Sequence, residues 1–293
     1  MPPTLHRLVL MVLVLAVALT GCASGSSPAA GPRPTATSEA TDVTPSPSSV
    51  PLAVIPGPLA RCGPQPQDVA TAPFAYGALK DPDVGTIPTV TIGRGRTVAV
   101  LLHQTDGYGL CGWLPFSRDL ARAGGVTALA IDLCRYGRSR CTKVDNGTFT
   151  AKDQVDAVAL AVRHARETLH ARRVVVVGAS MGGSVALISG SRLPEVDAVV
   201  DLSGPVEWVG MGAVADGRAL RVPVLAAAAP EEGKPDVDTT RSIVGNAPAG
   251  SRFVEVDQGH GYELLNNIDG SSSGINEIVR EWIQGPQPGP GTT

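Results

Sequence analysis

Short apolar runs of strand length alternate with segments of helical period, and this alternation limits the folds open to the chain more than any other feature. The predicted strands cover residues 97–102, 126–131, 173–177, 196–202, 222–228 and 252–256, and 97–102 is a continuous apolar run. Continuous apolar runs of this length are typical of strands buried on both faces of a parallel sheet. Helical patterns lie between them, at 113–123, 151–170, 274–283 and in a segment that begins near Ser184. We therefore predict the α/β fold class, a mostly parallel twisted sheet with helices on both faces.

Composition and charge exclude several classes of function. Of the 293 residues, 43% are apolar and 17% are charged, which is enough apolar material for one core of roughly 200 residues. The formal net charge is −3 and no run of Lys or Arg exceeds a pair, which argues against nucleic-acid binding. The His and Cys residues lack the spacing of a structural zinc site, so we expect no metal and no cofactor.

The first residues have the pattern of an export signal. Residues 8–19 form an apolar run that would span about 18 Å as a helix, too short for a bilayer core of about 30 Å. The following Leu19-Thr-Gly-Cys22 resembles the lipobox of bacterial lipoproteins. That resemblance implies a signal peptide over residues 1–21, a lipidated Cys22 and a membrane anchor at the extracytoplasmic face. An ordinary secretory signal with an incidental cysteine is the alternative.

Composition also suggests the domain boundaries. Residues 23–51 are almost all Ala, Ser, Thr, Pro or Gly, a composition that cannot bury enough apolar surface to fold. We assign 22–70 to the lipidated cysteine and this disordered tether. Residues 71–284 form the predicted folded domain, and 285–293 form a disordered tail.

Four cysteines remain within and just before the predicted domain: Cys62, Cys111, Cys134 and Cys141. An even number in an exported protein predicts two disulfides. A Cys134–Cys141 bond would close a short loop, and Cys62–Cys111 would then tie the leading segment to the loop after an early strand. Four free buried thiols are the alternative.

A candidate nucleophile follows the valine-rich strand at 173–177. Gly178-Ala-Ser180-Met-Gly182 fits the pattern Gly-x-Ser-x-Gly between a strand and a helix, which exposes the serine oxygen above the sheet on a strained turn. A glycine-rich phosphate-binding turn is the alternative. The chain lacks both Gly-x-Gly-x-x-Gly after its first strand and Gly-Lys-Ser/Thr, so the nucleophile is favoured.

A serine nucleophile needs a base and an acid, which follow it along the chain in this fold class. His260 is the only histidine after Ser180, and it lies between two glycines just past a short strand. The acid should follow the strand at 222–228. Counting along the chain favours Glu232 there, with Asp236 as the second candidate and Glu231 as the third.

These motifs together resemble the α/β-hydrolase superfamily, and dienelactone-hydrolase-type esterases in particular. The resemblance covers about residues 74–282 and rests on His103-Gln-Thr-Asp-Gly107, Asp132 to Ser139, the turn at Ser180, and Gly259-His260-Gly261. It implies an oxyanion hole made by the amide of Met181 and that of Thr105 or Gln104. Gln104 stands where the family commonly has glycine, and the acidic loop departs from the family's usual Gly-x-x-Asp.

The resemblance implies a serine hydrolase, and most directly a carboxylesterase. Only one short helix, near 206–215, fits between the strands at 196–202 and 222–228, so we expect a minimal cap or none and an open site. Trp208 and Met211 are candidates for its wall, or for ordinary packing. The expected partner is a small-molecule or cell-envelope acyl substrate. Alternatives are a peptidase, thioesterase or acyltransferase of this fold, or a catalytically silent binding protein.

Overall fold

The structure is a computed structural model that describes residues 51–106, 108–142, 151–267 and 271–285. The predicted signal peptide, Cys22, residues 23–50 of the predicted tether, and the tail after residue 285 lie outside the described residues. In the described part of the chain, no helix is long and apolar enough to cross a membrane.

The described residues form strands and helices in an alternating order. The strands are β1 (Leu52–Val54), β2 (Pro64–Pro66), β3 (Ala75–Asp81), β4 (Gly85–Gly93), β5 (Thr97–Leu102), β6 (Val126–Ile131), β7 (Arg140–Cys141), β8 (Arg173–Ala179), β9 (Ala198–Leu202), β10 (Val224–Ala228) and β11 (Arg252–Glu255). The helices are α1 (Gln67–Ala70), α2 (Leu114–Ala123), α3 (Ala151–Glu167), α4 (Met181–Arg192), α5 (Lys234–Asn246) and α6 (Gly274–Gln284). Short 3-10 helices lie at Gly57–Cys62, Gly109–Trp113, Met211–Ala213, Pro230–Glu232 and Gly261–Leu265.

The main sheet of the described residues has nine strands and is mostly parallel, which confirms the predicted fold class. Its strands lie in the order β11-β10-β9-β8-β5-β6-β4-β3, with β7 paired to β4. The pairs from β11 through β6 are parallel, whereas β4 and β3 are antiparallel. The strand order reverses around β5, because β6 lies on one side of it and β8 on the other. Such a switch point leaves a crevice at the carboxyl ends of the strands, where ligands of open α/β sheets bind.

Helices cover both faces of the sheet. Buried side chains of α3, α4 and α5 pack on one face, and those of α2 and α6 on the other. The strands β5, β6, β8, β9 and β10 are buried along almost their whole length. This burial explains their continuous apolar sequence and holds their carboxyl ends in fixed positions.

The antiparallel strands β3 and β4 are absent from the sequence prediction. β3 is the edge strand, and its side chains are exposed or only half-buried. β4 carries Pro88, a residue that usually argues against a strand inside a sheet. Their sequences therefore lack the continuous apolar run by which the buried strands were recognised.

The folded part begins earlier than the predicted boundary at residue 71. Ile55, Leu59, Cys62 and Val69 are buried in the same apolar cluster as α2 and α6. The predicted tether therefore cannot extend to residue 70, because β1, β2 and α1 occupy residues 52–70. Their small hairpin and 3-10 turn bury too little apolar surface to be recognised without the domain on which they pack.

Both predicted disulfides are present. Cys62 is bonded to Cys111, and Cys134 is bonded to Cys141. The first fixes the leading segment to the 3-10 helix that follows β5. Beside it, Arg61 donates to both carboxylate oxygens of Asp132, at 3.0 and 2.8 Å. The side chain of Arg61 is 13% exposed, and that of Asp132 is 0% exposed. Covalent and ionic contacts thus hold the same segment against the carboxyl edge of the sheet.

Candidate active site

Ser180 occupies a strained turn between β8 and α4. Its φ of 50° and ψ of −122° lie in a region that side chains other than glycine rarely adopt. Its amide donates to the carbonyl of Leu202 on β9 at 2.7 Å, which ties the turn to the neighbouring strand. The geometry has the form expected of a nucleophile elbow.

The two glycines of the motif are required by close packing of the backbone. A Cβ on Gly178 would lie 1.9 Å from the carbonyl oxygen of Gly182, and a Cβ on Gly182 would lie 2.3 Å from that of Leu102. Any side chain at these positions would force the turn apart.

Met181, a predicted oxyanion-hole residue, is the first residue of α4. The amide of a first helical residue has no acceptor within the helix, and it lies at the positive end of the helix dipole. This amide therefore meets the requirements for binding a developing oxyanion.

The loop after β5 carries the two alternatives for the second donor. The amide of Gln104 donates to Tyr262 Oη at 3.0 Å and is therefore already occupied. The carbonyl of Gln104 accepts from Nδ1 of the buried His103 at 2.7 Å. Because C=O and N–H of a trans peptide point in opposite directions, the amide of the exposed Thr105 is turned away from His103. Between the two alternatives, the geometry favours Thr105.

His103 itself is held in a single tautomer. Its Nε2 accepts from the amide of Leu133 at 3.0 Å, so the ring proton lies on Nδ1. Burial lowers the pKa of His103, which keeps the ring neutral. The ring thereby fixes the peptide between Gln104 and Thr105 without adding charge beneath it.

His260 reaches the same edge from the loop after β11. A Cβ built on the next residue, Gly261, would lie 3.4 Å from the Cβ of Ala179, the residue before Ser180. The structure therefore brings the histidine loop and the serine turn together. The side chain of His260 is 47% exposed, so it is accessible to a substrate.

Of the three candidate acids, Glu232 lies beside the imidazole. Its Oε1 is 3.8 Å from Nδ1 of His260, an ion-pair distance that is longer than a hydrogen bond. The interaction with Glu232 raises the pKa of His260, against the opposing effect of partial burial. Glu231 instead accepts from the amide of Gly259 at 2.5 Å, and Asp236 lies in the first turn of α5.

A fourth carboxyl group lies below the site and was missed in the sequence. Asp201 on β9 is fully buried, and its Oδ1 accepts from the amide of Gly204 at 2.7 Å. Its Oδ2 has no hydrogen-bond partner among the described residues. Burial raises the pKa of Asp201 to about 7. The signal was an Asp near the carboxyl end of the predicted strand 196–202, where a buried polar residue is informative.

The segment between β9 and β10 contains only the 3-10 helix Met211–Ala213 in place of the predicted helix near 206–215. Met211 is 1% exposed and packs in the core. Trp208 is half-buried and donates from Nε1 to Gln154 Oε1 at 3.3 Å, and Gln154 in turn contacts Met181 Sδ. Trp208 is therefore linked to the residue after Ser180, whereas Met211 is a packing residue.

Comparison with known proteins agrees with this geometry. A family model described as "Alpha/beta hydrolase family" matches residues 99–273, more than half of the chain. The chain belongs to the alpha/beta hydrolase family. No curated protein sequence matches it significantly.

Solved structures of the same fold include several hydrolases. A dienelactone hydrolase from Anabaena variabilis is 18% identical with a TM-score of 0.56, over 71% of this chain and 95% of that one. An esterase from Pyrococcus furiosus is 14% identical with a TM-score of 0.55, over 75% and 93%. A serine hydrolase without a lid from Xanthomonas campestris is 14% identical with a TM-score of 0.51, over 64% and 85%. At these identities the likeness establishes the fold alone.

Within the described residues, no group of three or more His, Cys, Asp or Glu side chains is arranged to hold a metal ion. The functional groups that the structure places at this edge are a serine hydroxyl, an imidazole near a carboxylate, and the backbone amides already described.

Proposed function

We propose that this alpha/beta hydrolase is a serine hydrolase, and specifically a carboxylesterase that forms an acyl-enzyme on Ser180. The observation that carries the proposal is the meeting of three parts at one sheet edge. Ser180 lies on a strained turn, the loop of His260 packs against the residue before it, and Glu232 faces Nδ1 of His260. Nucleophile, base and orienting acid in this arrangement are the parts of a catalytic triad.

The proposed reaction proceeds in two halves. Ser180 Oγ attacks the ester carbonyl carbon while His260 Nε2 takes its proton, and the carbonyl oxygen becomes an oxyanion that the amides of Met181 and Thr105 bind. The intermediate collapses, and the leaving alcohol takes the proton from His260. Water then attacks the acyl-enzyme, again losing a proton to His260, and the acid leaves as Ser180 regains its proton.

An open site favours small or surface-presented esters over a chain that must be enclosed. The described interval between β9 and β10 contains no α-helix that could cover the site. The fold is shared with a hydrolase described as lacking a lid. A substrate would therefore approach Ser180 from solvent.

We further propose that Cys22 is lipidated and holds the domain at the extracytoplasmic face of the cell membrane. Two disulfides support an oxidising compartment, because such bonds are rare in the cytoplasm. The Leu19-Thr-Gly-Cys22 motif supports the lipid anchor. The substrate in this setting is an ester of the cell envelope or one that reaches it from outside.

Labelling with a fluorophosphonate probe tests the catalytic proposal. The wild-type protein should become labelled, and Ser180→Ala should not. Ser191→Ala is a matched control, because Ser191 lies on the same helix with its hydroxyl bonded to the carbonyl of Ile188. A folded wild-type protein that stays unlabelled would favour the catalytically silent binding protein. Turnover of matched ester, thioester and amide substrates then separates esterase from thioesterase and peptidase, and acyl transfer to an added alcohol identifies an acyltransferase.

A further inference from the structure

Gln104 and Tyr262 join the two loops that meet above Ser180. The amide of Gln104, on the loop after β5, donates to Tyr262 Oη at 3.0 Å. The amide of Tyr262, two residues after His260, donates in return to Gln104 Oε1 over a longer 3.4 Å. The two residues are 158 positions apart in sequence, so this reciprocal contact is purely tertiary.

The two loops are closely packed at Gly261. Gly261, between His260 and Tyr262, has a φ of +59°, and a Cβ there would lie 2.2 Å from Gln104 Oε1. The side chain of Gln104 therefore forms the surface on which the histidine loop lies. A glycine at position 104, as the family commonly has, would remove that surface.

The ring of Tyr262 is itself firmly held. A Cβ on Gly112 would lie 2.4 Å from Tyr262 Cε2, and the indole of the fully buried Trp113 meets the ring edge-on at 5.0 Å. The neighbouring Cys111 is covalently bonded to Cys62. Because Gly112 and Trp113 hold the ring of Tyr262, its hydroxyl holds the amide of Gln104 in a fixed position.

We propose that Gln104 and Tyr262 are positioning residues, which together set the placement of the Thr105 amide relative to His260. This inference rests on the proposed function. The next peptide along the chain carries the Thr105 amide, and His103 already fixes its carbonyl side. Tyr262 fixes the preceding peptide through the amide of Gln104. The contacts of His103 and Tyr262 together therefore hold the Thr105 amide in one orientation. An oxyanion donor acts in the transition state and not on the bound ester, so its displacement lowers kcat and leaves KM nearly unchanged.

Two single variants and their double variant test the proposal. Tyr262→Phe removes the acceptor for the Gln104 amide, and Gln104→Met removes Oε1 while keeping the length of the side chain. We expect Tyr262→Phe to lower kcat on the order of 10- to 100-fold with KM within about twofold. The double variant should lose less than the product of the single losses, because both act through one contact. Tyr76→Phe on β3 is the matched control, since it removes the same hydroxyl away from this edge.

Activity is measured per active site, counted by fluorophosphonate titration, so that misfolded protein does not enter kcat. If Tyr262→Phe and Gln104→Met both keep kcat within twofold of a labelled, active wild type, the positioning proposal is wrong and the proposed function stands. A rise of kcat together with KM, or a rise of KM at unchanged kcat, would also contradict it.

Hydrogen exchange of the full mature chain provides a second measurement that needs no activity. Tyr262→Phe should speed amide exchange in peptides that cover Gln104 and, to a similar degree, in those that cover Gly261. A change confined to the histidine loop would overturn the coupling of the two loops. If the wild type is inert toward the probe, the proposed function fails, and this exchange pattern alone decides whether the two loops are joined.

Discussion

The carboxylate of Glu232 lies 3.8 Å from Nδ1 of His260, on the side of the ring opposite to the nitrogen that would receive a proton from Ser180. A carboxylate there favours the tautomer with its proton on Nδ1 and stabilises the imidazolium formed during attack. Catalytic hydrogen bonds are often long without substrate and shorten in the complex. The observed separation is therefore compatible with Glu232 as the acid of the proposed triad.

Substitution of the three acidic candidates should separate their roles by orders of magnitude. We expect Glu232→Gln to lower the acylation rate by about 10³- to 10⁴-fold, because the wrong tautomer of His260 is then favoured. Asp236→Asn and Glu231→Gln should stay within about tenfold, the latter because an amide oxygen can still accept from Gly259. Stopped-flow acylation with a chromogenic ester measures the rates. A large loss in Asp236→Asn with a small one in Glu232→Gln would assign the acid to Asp236.

The pH profile of activity should reflect the pairing of His260 with Glu232. The base must be neutral, so kcat/KM falls as the pH drops through the pKa of His260. Glu232 raises that pKa above its ordinary value of 6.5, so the decline begins at a higher pH than for a free imidazole. In Glu232→Gln the residual activity should decline at a lower pH. An unchanged acidic limb in this variant would show that Glu232 does not act on the imidazole.

Asp201 should make the folded state less stable as the pH rises. Its pKa is raised from 3.8 to about 7, so the folded chain binds more protons than the unfolded chain between these values. Its contribution to the free energy of unfolding is present below pH 4 and is lost as the pH rises to about 7. The loss amounts to at most about 4 kcal/mol. Asp201→Asn keeps an acceptor for the Gly204 amide and removes the titration. The free energy of unfolding, measured in urea at pH 5 and pH 8, should therefore change less between the two pH values in this variant than in the wild type. An equal change in both proteins would contradict the prediction.

The two disulfides should differ in what their removal costs. The Cys62–Cys111 bond closes a loop with a sequence separation of 49, against 7 for Cys134–Cys141. Loop entropy then predicts a loss of about 4 kcal/mol for the paired substitution of Cys62 and Cys111 by Ala, and about 2.5 kcal/mol for that of Cys134 and Cys141. Denaturant midpoints of the two variants measure the difference. Free thiols in the denatured, unreduced wild type would contradict the oxidised state itself.

Anchoring should depend on one sulfur atom. Cys22→Ser removes the thiol to which the proposed lipid is attached. The domain should therefore move from the membrane fraction to the soluble extracytoplasmic fraction. Metabolic labelling with a clickable fatty acid follows the modification directly. Membrane retention of a correctly cleaved Cys22→Ser protein would point to a different anchor.

The sequence was sufficient for the parts of the molecule that depend on local pattern. The buried strands were recognisable because both their faces are apolar, and the turn at Ser180 because close backbone packing requires its two glycines. The acid was harder to assign, because Glu231 and Glu232 are adjacent and only the 3-10 turn Pro230–Glu232 decides which one faces His260. These assignments of catalytic role remain predictions.

Contacts between distant segments could not be predicted in the same way. The pairing of Gln104 with Tyr262 depends on two loops that meet only in the folded chain, and the motifs beside each residue do not reveal it. Asp201 lies in a predicted strand, but its burial depends on the packing of β9 beneath α4. Edge strand β3 was missed because one side of it faces solvent.

The pairing of Arg61 with Asp132 determines how the protein can be shortened for expression. A clone that starts at residue 71, where composition alone places the domain boundary, deletes Arg61, the ion-pair partner of this fully buried carboxylate, and leaves Cys111 as an unpaired thiol. Removing one partner of a buried ion pair costs about 3–5 kcal/mol, a large part of the stability of an ordinary domain. A clone that starts at residue 51 retains both contacts, so we expect it to unfold at a higher denaturant concentration than the shorter clone.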